Sequence, residues 1–488
     1  MLFTDMPYAP GGDELLGHNA AFRRDRLGAL DLLTQVTQPV TRLRIPWPGV
    51  RAFSINDPEV IQEALVEKAR HFDKSDMLRF TLWNLAGEGL FTSNGELWKR
   101  QRRLMAPLFT PKALEAYADD MIQCSLRTME PWRDGQELAL SHETTRLTMG
   151  VAGKTLFDAD TFSDADEIGQ ALTVALDWTS YVMGRGFAVS HVITKRLLER
   201  AAKDESTRWQ RIAKRASDRL QGPIALVGPR GRELARAIAF LDEHVQRMID
   251  HRRSSSDPET DLLSRLLAAR DEEGAAMSDR QVRDEVLTLF VAGHETTATG
   301  LAWTLYLAGR DPRIYAAMER EVDAVGDEPK VSDLPRLDLC LRVFKEALRL
   351  YPPVYMFGRD SRGDVSVAGY DLPERSNALV SAWALQRNPR LWPDPERFDP
   401  DRFLPENEAK RHRYAYMPFG AGPRVCLGNH FAYMEAQLAL AVLLRRYRFE
   451  IVADEVPEPS ATLRPKNGVR VRIHRRDHAR VYASSAPA

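Results

Sequence analysis

Phe419-Gly420-Ala421-Gly422-Pro423-Arg424-Val425-Cys426-Leu427-Gly428 runs straight into a long apolar helical pattern, Leu427 to Leu444. The chain has three cysteines, and this one sits in a loop punctuated by glycine and proline. A thiol at the start of a helix faces unpaired backbone N–H groups and the positive end of the helix dipole. Those groups favour the thiolate, which is the form that ligates metal. Gly420, Gly422 and Gly428 lack a Cβ and let backbone approach a flat partner closely. Phe419, seven residues upstream, can lie beside the sulfur. The plain alternative is an inert cysteine buried in a turn, the commoner fate of a single free thiol.

At 488 residues the chain exceeds the usual size of one domain. No composition break, long Gly/Ser linker, internal repeat or low-complexity tract divides it, so a single large unit is expected, mainly α with a smaller β-rich portion. Lys and Arg number 68 against 69 Asp and Glu, a formal net charge of −1 that gives no pull toward nucleic acid. Cys124, Cys340 and Cys426 are too widely spaced to suggest a disulfide framework, which points to a reducing compartment. The N-terminus lacks a basic region followed by an apolar core, and no apolar run approaches the roughly 18–20 residues of a membrane span. A cytoplasmic protein without a transmembrane segment is expected. Residues 477–488 are small and polar and are expected to be a disordered tail.

Apolar spacing predicts a helix from Glu14 to Val36. A hairpin follows, with Val40, Leu43 and Ile45 before Pro46-Trp47-Pro48-Gly49 and Ala52-Phe53-Ser54-Ile55 after it. Asp57-Pro58-Glu59 opens a helix with proline at its first position. Most of Pro111 to Arg253 is helical in pattern. Ser278-Asp279-Arg280 opens a long helix to about Ala308, and Leu334 to Leu350 is another. Val365 to Asp371 and Asn377 to Trp383 read as strands. Lys466-Asn467-Gly468-Val469 reads as a hairpin turn before alternation at Val469, Val471 and Ile473.

Three further clusters carry chemistry. Ala292-Gly293-His294-Glu295-Thr296-Thr297 places an acid and two alcohols inside an apolar helix, where they are poor choices for stability. Thr296 lies four residues after Ala292, so its hydroxyl can bond that carbonyl and loosen the local ladder. His294 is assigned no role. Glu346 and Arg349 share a helical face, and Leu350-Tyr351-Pro352-Pro353 and Asp394-Pro395-Glu396-Arg397-Phe398 follow. Trp98 and Arg102 also share a face, and their indole N–H and guanidinium suit a carboxylate.

The full spacing Phe-x-x-Gly-x-Arg-x-Cys-x-Gly resembles the haem-binding loop of the cytochrome P450 family. The likeness extends over nearly the whole chain, from Trp98 through Arg397 to Cys426, in the family's order. It implies the P450-like fold over residues 1–476, with the β-rich portion near 38–56, 363–384 and 460–474. It implies haem b (iron protoporphyrin IX) with Cys426 as proximal iron ligand, pushing electron density toward O–O cleavage. Phe419, Gly420 and Gly428 then shape the loop, and Ala292 and Gly293 leave a widened turn beside the haem. Glu295 and Thr296 become the acid–alcohol pair that supplies protons, Thr296 as relay and Glu295 as its partner. Trp98, Arg102, Arg359 and Arg424 become partners of the haem propionates. Glu346, Arg349 and Arg397 become a buried network that holds the cysteine loop. Gln386 stands where many members have a histidine, a change expected to have little effect.

What the resemblance implies for activity is a soluble, bacterial-type haem-thiolate monooxygenase. It would insert one oxygen atom from O2 into a small apolar substrate, with electrons from NAD(P)H arriving through a separate ferredoxin- or flavodoxin-type donor. Arg100, Arg103 and Lys410-Arg411-His412-Arg413 offer a positive face for an acidic donor. Candidate substrate contacts are Phe80, Leu82, Trp83, Leu90, Phe290, Val291, Tyr355 and Phe357. The segment 192–236 is long for a lid over the substrate entrance. Its basic helix and apolar tip, Pro223 to Pro229, suit a membrane surface, an acidic substrate or a carrier protein; the plainer reading is a solvated helix and loop. Rival functions are a peroxide-driven peroxygenase, a non-oxidative haem enzyme, and a haem-binding protein without turnover. Retention of Glu295-Thr296 argues against the first and the last.

Overall fold

The computed structural model describes residues 1–47, 49–157, 165–183, 186–202, 207–220, 228–254, 261–270 and 274–476. The expected apolar tip at 223–227, part of the basic segment before it, and the tail 477–488 lie outside the described residues. The helices that build the site are α1 (Asp76–Ala86), α2 (Gly95–Met105), α3 (Leu140–Phe157), α4 (Ala165–Met183), α5 (Gly186–Ala201), α6 (Arg208–Arg219), α7 (Asp279–Gly309), α8 (Asp338–Leu350) and α9 (Asn429–Arg446).

α7 is the axis of the molecule. Ser278 and Gln281 close a capping box at its start, each side chain accepting from the other's backbone N–H. Its 31 residues are buried on every side over most of their length, as expected of a helix at the centre of a large core. α3, α8 and α9 pack around it in one continuous apolar cluster that includes Leu301, Phe344 and Leu440. Trp303 of α7 stacks on Tyr351 with ring centroids 3.9 Å apart. Among the described residues no helix is long and apolar enough to cross a membrane.

Strands β1 (Val40–Leu43), β2 (Arg51–Ile55), β3 (Phe72–Lys74), β5 (Phe357–Ser361) and β8 (Ser376–Val380) form a five-stranded sheet in the order β1-β2-β8-β5-β3. The β1–β2 hairpin matches the expected one, with Val40 opposite Ile55. β3 and β5 are antiparallel, which sets Lys74 directly opposite Arg359. A second sheet joins β4 (Glu137–Ala139), β12 (Arg470–Arg475) and β9 (Tyr447–Ile451). Two hairpins, β6–β7 (Val365–Val367, Tyr370–Leu372) and β10–β11 (Pro457–Pro459, Leu463–Pro465), complete the β portion.

Several local expectations need correction. The Glu14–Val36 helix is two, Gly17–Arg24 and Arg26–Thr34, because Asp25 is extended and its carboxylate caps the Gly28 N–H at 2.9 Å. The helix opened by Pro58 ends at Gln62 and continues to Glu67 as a π-turn. Lys466–Val469 is no hairpin: β11 pairs with β10, while β12 pairs with β9 and β4. The β portion also takes in β3, β4, β5, β9 and β10, strands outside the ranges expected for it.

Candidate active site

The cysteine loop is held from three sides. The Cys426 N–H donates to the Phe419 carbonyl at 2.9 Å, closing the loop on itself. Gly422 adopts φ +69°, and a Cβ there would lie 1.9 Å from the Leu65 carbonyl oxygen. Its missing side chain therefore admits the π-turn backbone, not a flat partner. Gly420 has φ +74° with open space around it, and Gly428 precedes α9 with φ −89° and open space where a Cβ would point. Phe419 meets Tyr433 edge-on at 5.1 Å. Arg102 donates to the Val425 carbonyl at 2.9 Å, so at least one of its N–H groups serves the loop.

Cys426 is exposed, yet its thiol is desolvated, so it faces an interior space. Burial pushes its pKa up; the Gly428 N–H and the Arg102 cation pull it down without prevailing. The donors expected at the helix start are present, but the net shift is upward, because desolvation of a thiolate outweighs one amide and one nearby cation. A bound metal cation reverses that balance.

Beside the loop lies a buried group of cations. Lys74, Arg359 and Arg424 converge, and Trp98 lies under the Arg424 guanidinium at 4.3 Å and 5.9 Å from the Lys74 ammonium. Burial first, then Arg424 and Arg359, push Lys74 down to about 6. Burial and Arg424 push Arg359 down to about 10. Lys74 donates to the Leu90 and Ser93 carbonyls at 2.6 and 2.9 Å, and Arg424 donates to Asp73 at 2.8 Å. The Arg424 Nη1 is buried with no hydrogen-bond partner among the described residues. Like charges placed directly opposite in a sheet destabilise it. The arrangement suits a ligand that brings more than one negative charge. Lys74 was not identified in the sequence; Phe72-Asp73-Lys74 is too short a strand to show periodicity.

Across the interior, Ala292 is exposed although its neighbours in the middle of α7 are buried or half-buried, so it opens on internal space. Thr296 donates to the Ala292 carbonyl at 2.7 Å, and Thr148 of α3 donates to the His294 carbonyl at 2.9 Å. α7 nevertheless stays α-helical throughout, without the expected widened turn. Gly293 faces α3, where its Cβ would meet Ala152 at 3.7 Å. Glu295 points away from Thr296: its Oε1 accepts from Thr462 of the β10–β11 hairpin at 2.6 Å, and its Oε2 is buried without a partner among the described residues. Burial raises its pKa, opposed by the Thr462 bond and the Arg464 cation. Thr462 was missed in the sequence because the contact spans 167 positions. His294 is buried and bonded to the Phe290 carbonyl, and burial pushes it down to about 4, so it stays neutral.

Glu346 and Arg349 form a two-pronged ion pair at 2.7 and 2.8 Å, both side chains fully buried. The third member is Arg402, at 3.4 Å from Glu346; Arg397 contributes its backbone carbonyl, 3.2 Å from Arg349. Two Arg-Phe pairs lie five residues apart, and the sequence did not distinguish them. Gln386 does more than expected. Its amide donates to the Leu348 and Arg349 carbonyls, and its oxygen accepts from the Met417 N–H at 2.8 Å, two residues before Phe419.

Several proposed substrate contacts are committed elsewhere. Leu82 and Phe290 belong to the main core, with Phe290 stacked on Phe157 at 4.7 Å. Tyr355 is buried and its hydroxyl bonds Arg26 and the Ser460 carbonyl. Phe80 stands in a small separate cluster with Val182 and Val192. Trp83, Leu90 and Phe357 are half-buried, and Val291 is buried. Of the supposed basic face, Arg411 is spent, lying over Trp392 at 4.3 Å and donating to the Arg402 carbonyl; Lys410, Arg103 and Arg413 are exposed.

The family model for cytochrome P450 matches residues 10–472. The chain belongs to the cytochrome P450 family. This P450 is 35% identical over 463 residues to cyclooctatin synthase of Streptomyces melanosporofaciens, covering 94% of this chain and 92% of that one. It is 31% identical to pentalenene oxygenase of Streptomyces avermitilis, covering 94% and 93%. It superposes on the crystal structure of the cytochrome P450DA heme domain with a TM-score of 0.78 at 28% identity, covering 97% and 98%. It is an oxidoreductase, a haem-thiolate monooxygenase that acts on a hydrophobic substrate with electrons from a redox partner.

Proposed function

We propose that this P450 oxidises a cyclic terpene hydrocarbon or terpene alcohol, taking electrons from NAD(P)H through a separate ferredoxin or flavodoxin. The substrate class rests on relatives named as a pentalenene oxygenase, a cyclooctatin synthase and a cyclooctat-9-en-7-ol 5-monooxygenase. The observation that carries the haem site is the buried cation group beside the cysteine loop, which fits the two propionates of haem b.

Cys426 is the metal-ligating sulfur. Lys74, Arg359 and Arg424, with the Trp98 indole N–H, would hold the propionates; Arg102 divides its donors between this group and Val425. When bound, haem supplies the activation of O2 and the insertion of one oxygen atom into the substrate. The protein's own part is proton management. Thr296 presents a hydroxyl beside Ala292, and Glu295, turned away from it, holds a proton screened from solvent by Thr462. The Glu346–Arg349–Arg402 network and Gln386 are positioning residues that fix the loop. Residues 1–476 act as one haem unit.

The test is the carbon-monoxide difference spectrum of the reduced protein, wild type against Cys426→His, followed by titration with cyclic terpenes and product analysis under labelled O2. A thiolate signature that disappears in the variant, substrate-induced spectral shifts, and label in the product are expected. A wild-type protein without thiolate ligation would overturn the reading of Cys426. Binding confined to acidic or polar ligands would overturn the substrate class.

A further inference from the structure

Gly87 to Asn94 form a strap that joins α1 to α2 and rests on α7. Asp284 accepts from the Glu88 N–H and Glu285 from the Leu90 N–H, each at 2.9 Å. A Cβ on Gly89 would lie 2.1 Å from the Thr288 hydroxyl, so the strap backbone touches the helix directly. Residues seven apart share one face of a helix, and seven residues after Glu285 comes Ala292, where α7 opens on internal space. The strap therefore lies on the side of α7 that borders this space, with Leu90 packed against the main core.

The other side of the strap is fastened from the cation group. Lys74 of β3 donates to the Leu90 carbonyl at 2.6 Å and to the Ser93 carbonyl at 2.9 Å. Leu90 is thus held by both of its backbone groups, the N–H by Glu285 and the carbonyl by Lys74. Gln101, on α2 between Trp98 and Arg102, is buried; its amide donates to the Glu88 carbonyl at 3.0 Å and its oxygen accepts from the Ser93 hydroxyl at 2.7 Å. The same Lys74 sits directly opposite Arg359 and 5.9 Å from the Trp98 ring. An ammonium carries three N–H donors, and the strap takes two.

We propose that Lys74 couples the cofactor to the wall of the substrate space: two of its N–H groups hold the strap, the third holds a haem propionate, and a bound propionate thereby fixes Leu90. This rests on the reading of the cation group as the propionate site. Arg359 and Arg424 have no such reach, since their hydrogen bonds go to the Gly358 carbonyl and to Asp73. Burial first, then Arg424, Arg359 and Arg79, hold Lys74 down at about 6 against the pull of Glu285. The neutral amine has two N–H groups, and both are placed on the strap. A propionate favours the ammonium and so supplies the third donor, the proton coming from solvent. Glu285 does not compete for that charge: burial and Asp284 keep it protonated up to about 8, opposed by the Leu90 N–H and Lys74.

The experiment compares haem-loaded wild type with Lys74→Met by amide hydrogen exchange over residues 87–93, by the propionate bending bands in the resonance Raman spectrum, and by titration with a cyclic terpene. Loss of a hydrogen bond from a charged donor corresponds to about tenfold or more, so strap exchange should quicken by at least about tenfold. The propionate bands should shift and the terpene dissociation constant should rise. Wild type loaded with the dimethyl ester of haem, which keeps the iron and loses both carboxylate charges, should quicken strap exchange in the same way, and adding Lys74→Met to it should add little. Strap exchange that quickens in Lys74→Met but not with the diester places Lys74 on the strap alone and overturns the coupling. Unmoved propionate bands, or a loosened strap with terpene binding unchanged, would overturn it as well. Should Lys74→Met fail to fold, the diester-loaded wild type decides by its strap exchange. A wild type lacking thiolate ligation would instead sink the reading of the haem site.

Discussion

Three glycines in one loop are expected to fail for three different reasons when replaced by alanine. At Gly422 the new Cβ begins 1.9 Å from the Leu65 carbonyl oxygen, with φ +69°. Reaching an ordinary C···O separation of about 3.3 Å moves the two backbones apart by about 1.4 Å. The left-handed conformation costs roughly 1–2 kcal/mol and the overpacking roughly 1–3 more, so Gly422→Ala should lose about 4 kcal/mol. For 488 residues the unfolding entropy is roughly 1 kcal/mol/K, which converts that loss into a melting temperature about 4 °C lower. Gly420, at φ +74° in open space, carries only the conformational cost, and Gly420→Ala should fall by about 1–2 °C. Gly428 has an ordinary φ of −89° and open space, so Gly428→Ala should keep its melting temperature and lose haem content instead. The assay is scanning calorimetry of each variant with haem content measured alongside. A Gly422→Ala protein that melts with the wild type would refute the claim that the π-turn backbone fixes this loop.

Arg402→Leu should destabilise the protein by about 1–3 kcal/mol, because it withdraws a cation from the buried Glu346 carboxylate; Arg397→Ala keeps its carbonyl bond to Arg349 and should cost under about 0.5 kcal/mol. Denaturant titration of the pair distinguishes them, and equal losses would contradict the assignment. Thr462→Val removes a bond that lowers the Glu295 pKa, so the pH at which product formation loses efficiency should move upward; an unmoved pH profile counts against the screening role. Glu285 is raised by burial to about 8, above its ordinary 4.5, so the unfolded chain gives up this proton first and stability falls as pH rises from 4.5 through 8. Glu285→Gln should therefore gain on the wild type by about 2.5 kcal/mol between pH 5 and pH 7, read from melting temperatures at both values.

The readable parts of this chain were those with strong local rules. The glycine-shaped cysteine loop, the helix start at Ser278 and the β1–β2 hairpin were each visible, because turn chemistry, helix starts and alternation act within a few residues. The Glu346–Arg349 pair was visible for the same reason. What escaped depends on distance along the chain. Lys74 meets Arg359 only because β3 pairs with β5, and Thr462 meets Glu295 only because a hairpin folds back over α7. Arg402 could not be told from Arg397, since both precede a phenylalanine and only tertiary packing chooses. The Cys426 pKa was misjudged because local donors are visible in a sequence and desolvation is not.

Gln386 ties the approach to the cysteine loop to the buried end of α8, by way of Met417. Its reference point is thus an interior landmark, and the outer rim carrying Lys410 and Arg413 has no part in that tether. Changes of charge at Lys410 and Arg413 should therefore leave the hydrogen bonds that hold the cysteine loop undisturbed.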